Sequence, residues 1–127
     1  MSKQILIPVI AAVLAVSVSA FAASRSTKDG VFTSAQAERG KVVYDRSCKN
    51  CHMPEFYTEK LLRYTNQPMS ALFETVSATM PADNVGSLPT NDYVDVLAYV
   101  LSINGAKPGK EELSEETMAG IAIAKPE

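Results

Sequence analysis

The sequence predicts an all-α domain folded around a cofactor. Apolar residues recur at helical spacing within 33–47, 69–78 and 91–102, and no stretch of useful length alternates apolar and polar residues as a strand would. The third observation is the motif C-x-x-C-H at 48–52, the attachment signature of a c-type haem. A chain of 127 residues has a limited core of its own, so a buried porphyrin would supply the missing apolar centre.

The first predicted helix begins after Thr33. Thr33 and Gln36 form a capping-box pattern, in which a hydroxyl and a side-chain amide satisfy otherwise unpaired backbone donors. Gly40 within this helix costs about 1 kcal/mol relative to alanine, which predicts a packing reason such as another helix passing close by. The helix face that carries this glycine runs toward Cys48 and comprises Ala37, Gly40, Val43 and Tyr44.

Two further helices are predicted at 69–78 and 91–102. Pro89 before the last helix and Gly105 after it are the residue types expected at helix boundaries. Asp92 in the first turn suits the helix dipole. In the segment 54–67 the apolar and polar residues follow no clear period, so its secondary structure is not predicted. The apolar faces of the two helices comprise Leu72, Phe73 and Val76, and then Tyr93, Val96, Leu97, Val100 and Leu101.

The haem motif contains the only two cysteines and the only histidine of the chain. The thiols of Cys48 and Cys51 are spaced to add to the two vinyl groups of a porphyrin as thioethers. His52 then supplies an imidazole as one axial ligand of the iron. A disulfide between the two cysteines and half of a zinc site are the alternatives, although zinc requires about four ligands and no second Cys or His cluster exists.

The sixth position of the iron separates an electron carrier from a catalyst. Met80 lies in an irregular stretch, 28 residues beyond His52, and Pro81 disfavours helix there. We therefore predict Met80 as the second axial ligand, with Met69 or an open position as the alternatives. A thioether is a soft, neutral donor that favours ferrous iron and raises the reduction potential.

The first 22 residues resemble a secretory signal peptide. Lys3 precedes an apolar run, and Ala20-Phe21-Ala22 is an A-x-A cleavage pattern that predicts a cut before Ala23. A retained membrane anchor is the alternative, because the apolar stretch approaches the length that a bilayer crossing needs. Both interpretations place the rest of the chain outside the cytoplasm, in the periplasm. Export agrees with the cysteines, because haem c is attached to reduced thiols after translocation.

The remaining chain divides into an N-terminal lead (23–32), a haem domain (33–105) and an acidic C-terminal extension (106–127). A surface helix over 111–122 is one expectation for this extension.

The formal net charge is −2, and the sequence has no basic stripe of the kind that binds nucleic acid. A sharper hypothesis is that basic residues near the motif surround the haem edge and steer partners. These residues are Arg39, Lys41, Arg46 and Lys49.

Residues 33–105 resemble the class I cytochromes c, the small monohaem electron carriers of bacteria and mitochondria. Gly40 and Tyr44 precede Cys48 by eight and four residues, where this family has the glycine and aromatic of its first helix. Val96 and Ala98-Tyr99 look like its last-helix crossing residues, and Thr79-Met80-Pro81 looks like its axial methionine loop. The resemblance implies the cytochrome c fold, one covalently bound haem c, and His52 and Met80 as axial ligands.

The resemblance also implies a function in electron transport. Such a protein is not an enzyme; it docks briefly with a donor dehydrogenase or cytochrome and with an acceptor oxidase or cytochrome. The C-terminal extension is similar to extensions on bacterial cytochromes that are partners or subunits of periplasmic dehydrogenases. One departure is that no proline follows His52 by about a dozen residues to accept the imidazole proton; Pro54 and Pro68 are candidates. The competing functions are a haem catalyst or gas sensor with an open sixth position, and a thiol oxidoreductase, which would require a βαβ pattern.

Overall fold

The computed structural model describes residues 25–127, and the predicted signal peptide lies outside this range. The all-α prediction is confirmed, since the elements of this part are helical apart from one pair of two-residue strands. Within residues 25–127, no helix has both the length and the apolarity needed to cross a bilayer. The elements in chain order are β1 (Arg25–Ser26), α1 (Ser34–Ser47), α2 (Pro54–Arg63), α3 (Met69–Thr79), α4 (Thr90–Ile103), a 3-10 helix (Met118–Gly120) and β2 (Ile121–Ala122).

The start of α1 confirms one half of the predicted capping box. The Thr33 hydroxyl accepts a hydrogen bond from the Gln36 backbone N–H at 3.1 Å. The Gln36 side chain does not return to the helix start, so the second half of the prediction is wrong. This buried amide instead donates to the Leu113 carbonyl and accepts from the Leu113 N–H, both at 2.8 Å. The backbone of Leu113 thus pairs with both the nitrogen and the oxygen of this amide.

Helices α1 and α4 make the closest crossing of the fold, at Gly40. A Cβ on Gly40 would overlap the Asp95 carbonyl and lie 3.0 Å from Cβ of Tyr99. The predicted close approach of another helix is therefore confirmed. Beside the crossing, the rings of Tyr44 and Tyr99 pack with centroids 5.2 Å apart. Since Cys48 caps the C-terminus of α1, this crossing fixes where the motif begins relative to α4.

The sequence predicted α3 and α4 but not α2. Helices α3 and α4 are each within one residue of the predicted ends. Helix α2 was not predicted; it begins with Pro54 at its first turn and buries Leu61 as its one fully buried residue. Its other large apolar side chains, Phe56, Tyr57 and Leu62, are only partly buried or exposed.

The C-terminal segment (106–127) packs into the core. The expected surface helix over 111–122 is wrong, because this region is irregular up to a turn at 115–117, which leads into the short 3-10 helix and β2. Its buried residues are spaced five, three and two apart, which does not form a helical stripe. They join the main hydrophobic cluster and comprise Leu113, Met118, Ile121 and Ile123.

Backbone hydrogen bonds tie this C-terminal segment to two distant parts of the chain. Strand β2 pairs in parallel with β1, with Arg25 opposite Ile121. Ile123 accepts from the Asn66 N–H and donates to the Gln67 carbonyl, both at 2.8 Å. The second pair lies directly before α3. The segment therefore anchors the start of α3, whose other end carries Met80.

We predict that Gly40→Ala destabilises the fold by about 1 to 3 kcal/mol or more, because the new methyl group overlaps a backbone carbonyl that cannot rotate away. Urea denaturation measures the change. Gly120→Ala is the matched control, since a Cβ there meets no atom within 4 Å. Equal stability of the two variants would show that the helices can separate freely at this crossing.

We also predict that Met118→Ala lowers the free energy of unfolding by about 2 to 5 kcal/mol, because Met118 is 0% exposed and its truncation leaves a cavity in the core. Met53→Ala removes the same atoms from a side chain that is 66% exposed and should change the value by less than about 0.5 kcal/mol. A Met118 variant as stable as the Met53 control would contradict the structural role of the C-terminal segment.

Candidate functional site

A cavity of about 730 Å³ lies between the four helices of residues 25–127. Protein interiors normally pack at crystal density, with few voids larger than a water molecule, so a space of this size is a candidate binding site. Its walls are mainly apolar. Residues from α2, α3 and α4 supply that surface, among them Leu61, Leu72, Val76, Val96, Leu97 and Val100.

The C-x-x-C-H motif forms one wall of this cavity. The Cys48 N–H continues α1 by donating to the Tyr44 carbonyl at 2.9 Å. The Cys48 carbonyl then accepts from the N–H groups of Cys51 and His52, at 3.2 and 3.0 Å. This single tight turn brings both thiols and the imidazole to the cavity, which all three residues line.

Tyr44 holds the end of that turn. Its hydroxyl donates to the His52 carbonyl at 2.8 Å, across eight residues of chain. The ring is buried and packs edge-on against Tyr57, with centroids 5.9 Å apart. The sequence predicted that Tyr44 lies on the packed face of α1, but it did not predict the hydrogen bond from its hydroxyl to the motif. Tyr44 therefore links the helix crossing to the backbone of the predicted iron ligand.

The imidazole of His52 lies among aromatic rings. It stacks on Phe56 with centroids 4.3 Å apart and rings inclined by 16°, and it meets Tyr57 edge-on at 5.9 Å. Both aromatics come from α2, the helix that the periodicity missed, and both line the cavity. Their position directly after the motif is the one sequence signal that could have drawn attention to them.

Cys48 and Cys51 are free thiols in the structure. Burial raises the pKa of the Cys48 thiol, and a hydrogen bond with Tyr57 acts in the opposite direction. Burial also raises the pKa of the Tyr57 phenol well above its ordinary value, so this cavity-lining group is neutral at physiological pH. The thiol and the phenol therefore add no charge to this part of the wall.

Met80 lies on the cavity wall at the end of α3. The helix ends at Thr79, one residue beyond the predicted range of 69–78. Met80 lies outside the helix as predicted and is extended, with φ −122° and ψ 156°. Its N–H donates to the Val76 carbonyl at 2.9 Å, while its own carbonyl accepts from the Tyr93 hydroxyl at 2.7 Å. The residue that the sequence singled out thus lies on the same cavity as the C-x-x-C-H motif.

The other described methionines lie elsewhere. Met53 is 66% exposed, whereas Met69 and Met118 are fully buried in the main core. Among residues 25–127, Met80 is the one methionine that lines the cavity. Pro68, one of the two prolines considered as acceptors for the imidazole proton, accepts from the Ala71 N–H and is not a lining residue.

The basic residues near the motif are paired with carboxylates. The Arg39 guanidinium donates hydrogen bonds to the carboxylates of Asp95 and Glu112, which raise its pKa, Asp95 having the larger effect. Of the four residues predicted to surround the haem edge, Arg46 alone lines the cavity. Lys60 of α2, which the sequence did not single out, also lines it and lies 5.2 Å from the centre of the Phe56 ring. The four pairs are Arg39 with Asp95, Lys41 with Asp45, Arg46 with Asp92, and Lys49 with Asp45.

The zinc alternative lacks a closed donor set in the described part of the chain. Among residues 25–127, no three His, Cys, Asp or Glu side chains converge as metal ligands. A structural zinc site takes four such donors.

Comparisons with known proteins returned no relative. No protein-family model, no curated protein and no solved structure matches the chain.

We predict that Tyr44→Phe lowers the free energy of unfolding by about 1 kcal/mol, because it removes the hydrogen bond to the His52 carbonyl while keeping the buried ring. Tyr99→Phe is the matched control, since it removes a hydroxyl from the neighbouring ring without touching the motif. Urea denaturation of both variants measures the difference, and a Tyr44 variant no less stable than the control would be evidence against this link.

Proposed function

We propose that the protein is an electron carrier of the class I cytochrome c type, with one covalently bound haem c and the cytochrome c fold. One observation carries the proposal: Cys48, Cys51, His52 and Met80, the residues that bear two thiols, an imidazole and a thioether, line a single mainly apolar cavity. This is the donor set that a haem of that class requires.

The residues present fit the group. Pockets for cofactors typically occupy about 300 to 1,000 Å³ and are mainly apolar, with a few polar groups in fixed positions. The cavity of about 730 Å³ lies in that range, and its apolar walls suit a porphyrin face. Both thiols are free to form covalent bonds. The imidazole makes aromatic contacts with Phe56 and Tyr57, which restrict its ring without charge.

Each of the four residues has a defined role in this proposal. Cys48 and Cys51 would hold the porphyrin covalently through their sulfurs, and His52 and Met80 would be the two protein ligands of its iron. When bound, the cofactor supplies an iron that alternates between the ferrous and ferric states and so stores one electron. The apolar walls exclude water from this centre, and neutral Tyr57 adds no charge to them.

Two protein ligands leave no position for a substrate, which supports a carrier rather than an enzyme. The partners are then redox proteins: a dehydrogenase or cytochrome as donor, and an oxidase or second cytochrome as acceptor. Small, weak interfaces suit such transient exchange. Residues 1–22, which precede the described range, support export to the periplasm, where haem c is attached.

The second candidate is a haem catalyst or gas sensor, in which Met80 does not bind the iron. The intermediate exposure of Met80 and the exposed chain that follows it favour keeping this alternative. A βαβ unit, which a thiol oxidoreductase would need, is absent from residues 25–127.

The test compares the exported, haem-loaded protein with its Met80→Ala variant. We expect a ferric near-infrared band from the methionine sulfur in the parent and its loss in the variant. We also expect the ferrous spectrum of the parent to be unchanged under carbon monoxide. Met53→Ala is the matched control, because Met53 adjoins His52 but is 66% exposed, and it should retain the band.

Two outcomes would overturn the proposal. Absence of covalently bound haem in the exported protein would remove the cofactor assignment. Rapid binding of carbon monoxide by the parent would instead favour the open-site alternative.

A further inference from the structure

The loop 80–88, between α3 and α4, is the most exposed part of the cavity wall. Residues 82–87 are all exposed. The loop has its own backbone bonds, from Asn84 N–H to the Pro81 carbonyl at 3.0 Å and from Gly86 N–H to the Met80 carbonyl at 3.3 Å. Segments with little buried apolar surface open locally at a small free-energy cost. Something other than its own burial must therefore hold this loop closed.

The Tyr93 hydroxyl contacts both ends of the 80–88 loop. It donates to the Met80 carbonyl at 2.7 Å and accepts from the Leu88 N–H at 3.5 Å. The ring belongs to α4, is 4% exposed and lines the cavity. The Tyr93 hydroxyl oxygen thus connects the first and last residues of this nine-residue loop.

We propose that Tyr93 is a positioning residue that holds the 80–88 loop closed and so keeps Met80 on the cavity wall. The role of Met80 in this inference rests on the proposed function. The contact lies on the backbone of Met80 and leaves the thioether free. Without the hydroxyl, the Met80 carbonyl keeps only the longer contact from Gly86, which opens together with the loop.

The first experiment measures amide hydrogen exchange in the full protein and in Tyr93→Phe. We expect exchange of the Gly86 and Leu88 amides to increase by about two- to tenfold, the factor that one hydrogen bond typically contributes, with α1 unchanged. Tyr99→Phe is the matched control, because its hydroxyl takes no part in the hydrogen bonds of the loop. Circular dichroism checks that each variant is folded.

A second measurement on the haem-loaded protein connects the loop to Met80. The Tyr93 variant should lose the near-infrared methionine band at a lower urea concentration than the Tyr99 variant. Haem content should be the same in both variants.

The outcomes separate this inference from the proposed function. A parent protein without the methionine band refutes ligation by Met80, while hydrogen exchange still tests the loop. Equal loop exchange in the Tyr93 and Tyr99 variants overturns the positioning role, whatever the iron ligands are. If Tyr93→Phe does not fold, the parent decides: slow exchange of the Gly86 and Leu88 amides supports the role, and exchange as fast as in an unstructured chain overturns it.

Discussion

The contact of Gly40 with the Asp95 carbonyl determines the distance between α1 and α4, and the rest of the site depends on that distance. Helix α1 ends at the C-x-x-C-H turn, and α4 supplies Tyr93, whose hydroxyl holds the Met80 carbonyl. A side chain at position 40 would move both walls of the cavity apart. This crossing therefore sets the relative position of the cavity walls that contain Cys48, Cys51, His52 and Met80.

The part of the cavity wall that α3 supplies is stabilised by the C-terminal segment. Ile123 pairs with the backbone directly before α3, and Met118 packs in the same cluster as Met69 and Phe73 of that helix. Because α3 is continuous from this anchor to Met80, the C-terminal segment supports the cavity without touching it. Residues 106–127, which the sequence analysis described as an extension of the haem domain, thus contribute to the hydrophobic core.

Features set by local chemistry could be predicted from the sequence. The cap at Thr33, the close approach at Gly40 and the end of α3 before Met80 each follow from one residue type at one position. Long-range pairings left no such signal. Gln36 bonds to Leu113 across 77 residues, and nothing in the capping pattern distinguishes that partner from the helix start. Helical periodicity likewise placed Tyr93 on a buried face but could not reveal what its hydroxyl binds.

A proton NMR spectrum of the reduced, haem-loaded protein with assigned methionine methyl groups tests whether Met80 binds the iron. A methyl group held against the porphyrin face is shifted strongly upfield by the ring current. We predict one methionine methyl resonance with this upfield shift, that of Met80. An upfield methyl assigned to Met69, or no shifted methyl at all, would contradict the axial pair of His52 and Met80.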